Sequence, residues 1–497
     1  MLARSGGIVA PIQKFTTRRN GSVFLSAPSP PLCSVPPVVN IPPASDLRYP
    51  SPMLNSPPAM DFSLSDHQLL IRDTVGDFMS TEVRPHVKDW ERADHFPLDA
   101  IQKLGALGCC GMLVPEEWGG SALDSISYVL MLEEVARVHA ALSTALSVTN
   151  SAVQLPILAF ATDDQKSRYL RRLASGEILG AFCLTEPAAG SDAAGIQATA
   201  VPCGGRPSGR SGESASPSAS SSAPQQQNCH SERSEGSASS VSNFAYYKLN
   251  GTKTWVTNGS AAGVYIVFAK TDPAAAGKGI TAFLVEPSFP GFKIGRHEDK
   301  MGQRSSPSVE IILNDCLVPA SNRLGEEGQG LKIALSALDG GRIGIAALAV
   351  GLAQAALDES TKYARARKAF GKSIGEFQAI QWMLADMHTE IEAARALLYH
   401  AAFLKDRNSI PVAQAFRPEA FPSSTSHASA ASRAKLYASE MVNRVVYKAV
   451  QIHGSLGYSR ESDVERMYRD ARVITIYEGT SEIQRTIIAR DLLNRAK

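Results

Sequence analysis

Little in this chain points to metal, disulfide or membrane chemistry. Its seven cysteines are scattered at positions 33, 109, 110, 183, 203, 229 and 316, and no C-x-x-C occurs. That spacing argues against a zinc site and offers no disulfide framework, so a reducing compartment is the simpler reading. The ten histidines show no ligand spacing, and no metal is expected. A formal net charge of +2 gives no reason to expect a polyanion, and so no nucleic-acid partner. No uninterrupted apolar stretch looks long enough to cross a bilayer, so no membrane partner is expected. Acidic residues are missing altogether before Asp46.

What is present is 497 residues, 44% of them apolar, enough for two to four domains of an ordinary globular protein. Residues 1–59 are Pro/Ser-rich, with Arg4, Lys14, Arg18 and Arg19 as cations. We read them as an extension ahead of a working start at Met60 in a cytoplasmic protein. The alternative is a transit peptide and the mitochondrial matrix. From 60 to 180 the texture is helical. Ser63-x-x-Asp66 reads as a capping box, Ile71, Val75, Phe78, Val83 and Val87 follow at helical spacing, and Ser127 to Val138 is a further helix.

From 181 to 320 β-branched and aromatic residues dominate, at 263–270, 280–285 and 309–313. Tyr246–Leu249 and Thr252–Trp255 flank Asn250-Gly251, which predicts a hairpin. From 321 to 497 Ala-rich helical runs recur around 343–363, 380–404 and 434–452. Two low-complexity tracts, 203–242 and about 415–432, are too polar to form a packed core and read as tolerated loop insertions. The predicted fold is α+β: an N-terminal all-α domain, a middle β-barrel domain and a C-terminal four-helix bundle.

Three segments carry chemistry. Ile476-Tyr477-Glu478-Gly479-Thr480-Ser481 sets a carboxylate between an aromatic and a glycine. Apolar neighbours raise a carboxylate's pKa toward neutrality, as a base for a weak carbon acid requires. The plain alternative is a surface Glu at a helix start capped by Thr480 or Ser481. Thr185-Glu186-Pro187-Ala188-Ala189-Gly190-Ser191-Asp192 ends in a turn able to offer backbone N–H groups to an anion. Lys253-Thr254-Trp255-Val256-Thr257-Asn258 sets an indole two residues from a hydroxyl. In an extended strand these share one face and suit the edge of a planar heterocycle.

These segments occur in order with Arg367-Lys368-Ala369-Phe370-Gly371 and Gln451-Ile452-His453-Gly454-Ser455-Leu456-Gly457-Tyr458. Together they resemble the acyl-CoA dehydrogenase family over nearly everything from Met60 to Arg495. The resemblance implies FAD as cofactor and an acyl-CoA as substrate. Glu478 would take the α-proton while flavin N5 receives the β-hydride, giving a trans-2-enoyl-CoA. Electrons would leave through an electron transfer flavoprotein, and a homotetramer is expected.

Carried over by residue, Thr185, Ser191, Trp255 and Thr257 would line the flavin and its pyrophosphate. Arg367, Phe370, Gln378, Gln451, Thr480 and Glu482 would contact FAD, several of them across a subunit interface. Ser455 stands where the family usually has glycine. On the substrate side the resemblance implies Ser191, Asp339, Arg342, Tyr477 and Gly479. Gly341 stands where some relatives on branched or long chains place the catalytic glutamate, which leaves Glu478 without a rival and points to the short-chain, butyryl-CoA-type subgroup. Two other readings share the scaffold. An acyl-CoA oxidase usually has a longer chain, and a nucleic-acid-binding flavoprotein relative would show a basic surface that a net charge of +2 does not suggest.

Overall fold

A computed structural model describes residues 63–205, 244–409 and 427–495. The extension 1–59 and most of both tracts lie outside them. Among the described residues seven α-helices come first: α1 (Asp66–Phe78), α2 (Val87–Ala93), α3 (Leu98–Ala106), α4 (Ser125–Val138), α5 (Ala140–Ser147), α6 (Leu155–Phe160) and α7 (Asp163–Ala174). The capping box of α1 is made by Ser65 with Gln68, not by Ser63 with Asp66. Gln68 reaches back to the Ser65 N–H while the Ser65 hydroxyl accepts from the Gln68 N–H, satisfying two donors that a helix start otherwise leaves unpaired.

Eight strands follow: β1 (Leu179–Cys183), β2 (Thr199–Gly205), β3 (Phe244–Thr257), β4 (Ala262–Lys270), β5 (Ile280–Val285), β6 (Phe292–His297), β7 (Ser308–Pro319) and β8 (Arg323–Leu324). They pair in the order β6-β7-β3-β2-β4-β5-β8, with β1 parallel beside β4. Among the described residues no β6–β8 pairing closes this sheet into a barrel. Alternate residues of β4 feed two separate cores. Val264, Ile266 and Phe268 pack with Leu170, Leu173 and Ile333, while Tyr265, Val267 and Ala269 pack with Tyr247, Phe283 and Val318. Both faces are covered, so the strand reads as an unbroken apolar run.

The hairpin expected at Asn250-Gly251 does not form. β3 runs straight through it, and its register against β7 slips between Leu249 and Gly251. Gly251 has φ +143°, and a Cβ there would lie 2.7 Å from the Ala198 Cβ. The glycine permits a close strand crossing, and the Asn250 side chain exchanges two hydrogen bonds with Asp315 on β7. The hairpin partner of β3 is β2, antiparallel from Thr199 opposite Asn250 to Gly205 opposite Phe244.

The rest is helical: α8 (Gly330–Ala366), a two-stranded turn of β9 (Lys368–Ala369) with β10 (Lys372–Ser373), α9 (Gln378–Ser409), α10 (His427–His453), α11 (Asp463–Arg472) and α12 (Ser481–Arg495). Residues 427–432, expected inside an insertion, are the first turns of α10, where Ser429, Ala430, Ala431 and Ser432 are buried. Small side chains here serve close helix packing rather than a loop. α8 does contain an 18-residue window of mean hydropathy 1.6, enough by length and composition to cross a membrane. That window is 78% buried, because α8 is the central helix, packed on α4, α9 and α10.

Candidate active site

Glu478 lies in the link between α11 and α12, just past a 3₁₀ turn at Val473–Thr475. It takes φ +53°, and Gly479 follows at +87°. A glutamate pays for that left-handed geometry, so neighbours must hold it. They do. The fully buried Gln484 donates through Nε2 to the carbonyls of Glu478 (3.1 Å) and Gly479 (2.9 Å). Lys435 Nζ donates to the Gly479 carbonyl at 2.8 Å. Thr480 Oγ1 caps α12 by accepting the Ile483 N–H. Tyr477 is fixed from the other side, its hydroxyl 3.2 Å from Gln303 Nε2 and 3.5 Å from Thr144 Oγ1.

The carboxylate is not the solvated surface group of the plain alternative. Its Oε2 is closed to solvent and has no hydrogen-bond partner. Burial pushes the Glu478 carboxyl up to about 7, against the opposing pull of Arg342 and then Lys435. Gly341 on α8 makes the space: a Cβ there would sit 2.4 Å from Glu478 Oε2. Arg342, 4% exposed, is ion-paired to Asp339 at 2.5 Å, and its Nε has no partner. Asp339 also meets His427 at 3.5 Å.

On the sheet side the structure joins the two segments expected to share a cofactor. The Thr254 N–H donates to the Thr185 carbonyl at 3.0 Å. Lys253 and Glu186, both buried, form an ion pair at 2.6 Å, and Glu186 also accepts the Ala198 N–H. Asn258, fully buried, ties the end of β3 to the carbonyls of Ala145 and Gly180. The strand is not plainly extended here. Trp255 has φ +59°, at a register slip between Lys253 and Val256. The bulge leaves Trp255 58% exposed and Thr257 half-buried beside the buried Thr254 and Val256. Thr185 is half-buried and Ser191 exposed, and nothing lies within 4 Å of a Cβ placed on Gly190. An open ring face, hydroxyls and an open turn therefore fit a planar heterocycle with an anionic tail.

The other expected cofactor residues sit on the outside of a single chain. Arg367, Gln378, Gln451, Ser455 and Glu482 are exposed, and Phe370 is 94% exposed at the β9–β10 turn. Thr480 and Glu482 line a cleft of about 400 Å³ with Glu440, Asn443, Arg472 and Ile476. Among the described residues no cluster of His, Cys, Asp or Glu able to hold a metal is present. Sequence reasoning missed Gln303, Gln484 and Lys435. Lys435 alone left a signal, as a lysine on a face shared with Ala431, Ala434 and Ala438.

A helical domain, a sheet domain and a helical bundle thus converge on a half-buried carboxylate with one oxygen closed to solvent and on an open planar cradle, the outline of a flavin-dependent oxidoreductase. Residues 65–177, 217–316 and 328–493 match the acyl-CoA dehydrogenase N-terminal, middle and C-terminal domains. A probable acyl-CoA dehydrogenase of Bacillus subtilis is 43% identical over 87% of this chain and all of its own. Butyryl-CoA dehydrogenase from Megasphaera elsdenii superimposes with a TM-score of 0.75 at 39% identity, covering 87% of this chain and all of that one. An acyl-CoA dehydrogenase from Bacillus anthracis complexed with FAD does so with a TM-score of 0.73 at 33% identity, over 87% of this chain and 68% of that one. The chain belongs to the acyl-CoA dehydrogenase family, whose cofactor is FAD.

Proposed function

We propose that this protein oxidises a short- to medium-chain acyl-CoA to the trans-2-enoyl-CoA, with Glu478 as the base that removes the α-proton. The observation that carries this is the unpartnered, solvent-free Glu478 Oε2 on a carboxyl poised at about 7. A base with a pKa near the working pH combines an ionised fraction with useful basicity. The Glu478 N–H has no backbone acceptor among the described residues, and it is offered to the thioester carbonyl as negative charge develops there. Tyr477, clamped by Gln303 and Thr144, borders the thioester, and Gly479 lets the backbone turn beside it. Arg342 and Asp339 are assigned to the CoA side, and Ser191 is assigned to the substrate as well as to the flavin.

Bound FAD supplies the hydride acceptor, since no side chain can take a hydride. Thr185, Ser191, Trp255 and Thr257 hold it on the sheet side. Arg367, Phe370, Gln378, Gln451, Ser455, Thr480 and Glu482 serve it from the bundle, several across a subunit interface of a homotetramer. The Phe370 ring, 94% exposed on the β9–β10 turn, stands free to meet a second subunit in that arrangement. Electron transfer flavoprotein is the proposed acceptor of the electrons. The butyryl-CoA dehydrogenase likeness supports a short acyl chain.

The test is Glu478→Gln. The variant is expected to keep FAD and to lose turnover of butyryl-CoA by ~10² to 10⁴-fold, together with α-proton exchange. Turnover within a few-fold of wild type places the base elsewhere. A kcat/KM series from C4 to C16 acyl-CoAs fixes chain length.

A further inference from the structure

Lys435 has no role in the chemistry above, yet it is fully buried on α10. Its companions on that face are Ala431, Ala434, Ala438 and Val442, all with no exposure. A buried ammonium without a task is costly, and such groups are retained where a partner needs them. Its contact is specific: Nζ donates to the Gly479 carbonyl at 2.8 Å. That carbonyl closes the left-handed Glu478–Gly479 step, the one that aims the carboxylate at the gap over Gly341.

We propose that Lys435 is a positioning residue for Glu478: its ammonium pins the backbone step that aims the carboxylate and supplies a positive charge that keeps that carboxylate ionised. The inference rests on the reading of Glu478 as base.

The electrostatics agree with the geometry. Burial pushes Lys435 down to about 8, and Glu478 is the first charge working against that. The groups facing the pair are Arg342 from α8, Glu440 from α10 itself and Glu482 from α12. Tyr128 on α4 and Tyr477 also feel the Glu478 charge. Arg342 is the first cation to hold the Glu478 carboxyl down and Lys435 the second, but Arg342 is paired to Asp339, whereas the Lys435 contact runs to the base's own loop. Removing an adjacent opposite charge raises a carboxylate pKa by about one unit or more.

Two variants separate the two roles, each assayed as FAD-loaded enzyme with butyryl-CoA. Lys435→Met loses both donor and charge. It is expected to lower kcat about tenfold to a hundredfold with little change in KM, and to move the acid limb of kcat/KM up by about one pH unit. Lys435→Gln keeps an N–H donor, and is expected to show the same shift of the limb with a smaller loss of kcat. Unchanged limbs in both variants overturn the proposal.

Should neither variant fold, ¹³C-lysine NMR of the wild-type and Glu478→Gln holoenzymes reads the pair without touching position 435. One lysine resonance is expected to titrate at lower pH once the carboxylate is gone, and identical lysine titrations in the two proteins overturn the coupling. Glu478→Gln turnover is scored separately: if it stays near wild type, the base reading has failed, whatever Lys435 does.

Discussion

Replacing Gly341 with alanine tests the site's geometry with a single methyl group. The new Cβ would fall 2.4 Å from Glu478 Oε2 and 2.8 Å from its Cδ. Ordinary non-bonded contact needs about 3.5 Å, so the carboxylate must retreat by roughly 1 Å. Its backbone cannot follow, because Gln484 and Lys435 hold the carbonyls on either side of the turn. A base misplaced by about 1 Å loses ~10²-fold in rate. The fold should not suffer, since alanine in a helix interior is favoured over glycine by ~1 kcal/mol and the obstacle is the end of a side chain. The expected outcome is therefore a separation: kcat for butyryl-CoA down about a hundredfold, FAD content unchanged, and Tm equal to wild type or higher. A variant within threefold of wild-type kcat would refute the claim that Glu478 and Gly341 fit each other in the working enzyme. A large fall in Tm would refute the claim that the methyl meets only a movable carboxylate.

Four further outcomes follow from named groups. On the proposal that Glu478 is the base, it must be ionised to accept a proton, and with its carboxyl pushed up to about 7 kcat/KM should fall as pH drops below about 7, read from a pH–rate profile. The same shift bears on stability with the opposite sense: an acid whose folded pKa is raised favours the fold at low pH, and that contribution is lost as pH rises through the folded value. Glu478→Gln should therefore raise stability at pH 8, by about 1 to 3 kcal/mol, and leave it nearly unchanged at pH 4, as urea titrations at the two pH values would show. Lys253→Met strands the buried Glu186 carboxylate and should cost ~3 to 5 kcal/mol in the same assay, with FAD more easily lost because Lys253 lies two residues before Trp255 on β3. Phe370→Ser removes the 94% exposed ring, and should loosen subunit association and FAD retention, measured by sedimentation and flavin absorbance, without changing the secondary structure.

Much of the fold was legible because its signals are local. The β-branched runs at 263–270 and 280–285 became β4 and β5, and the Ala-rich runs became the cores of α8, α9 and α10. Each depends on side-chain pattern over a few residues. Asn250-Gly251 misled because its meaning is set by a distant partner: the glycine makes room for Ala198, and the asparagine is satisfied by Asp315 on β7. No local rule separates that from a hairpin turn. Trp255 was expected on a flat strand, but a register slip against β7 turns it outward, and strand register is a property of two chain segments.

The site divides along the same line. Glu478 could be singled out because an acidic residue between an aromatic and a glycine is locally odd. The residues that surround it are remote in sequence: Gly341 opens the space, Gln303 clamps Tyr477 from the sheet domain, and Lys435 reaches the Gly479 carbonyl from α10. In sequence, residues 427–432 read as the end of a Pro/Ser/Ala tract and so as an insertion. Where two helices cross closely, absence of bulk is what the packing requires, and on the same small-residue helix Lys435 reaches the Gly479 carbonyl. A polar group on an alanine face is thus a stronger pointer than its neighbours' composition suggests. Burial there strips the ammonium of water, and only a carbonyl or carboxylate on the far side can replace it.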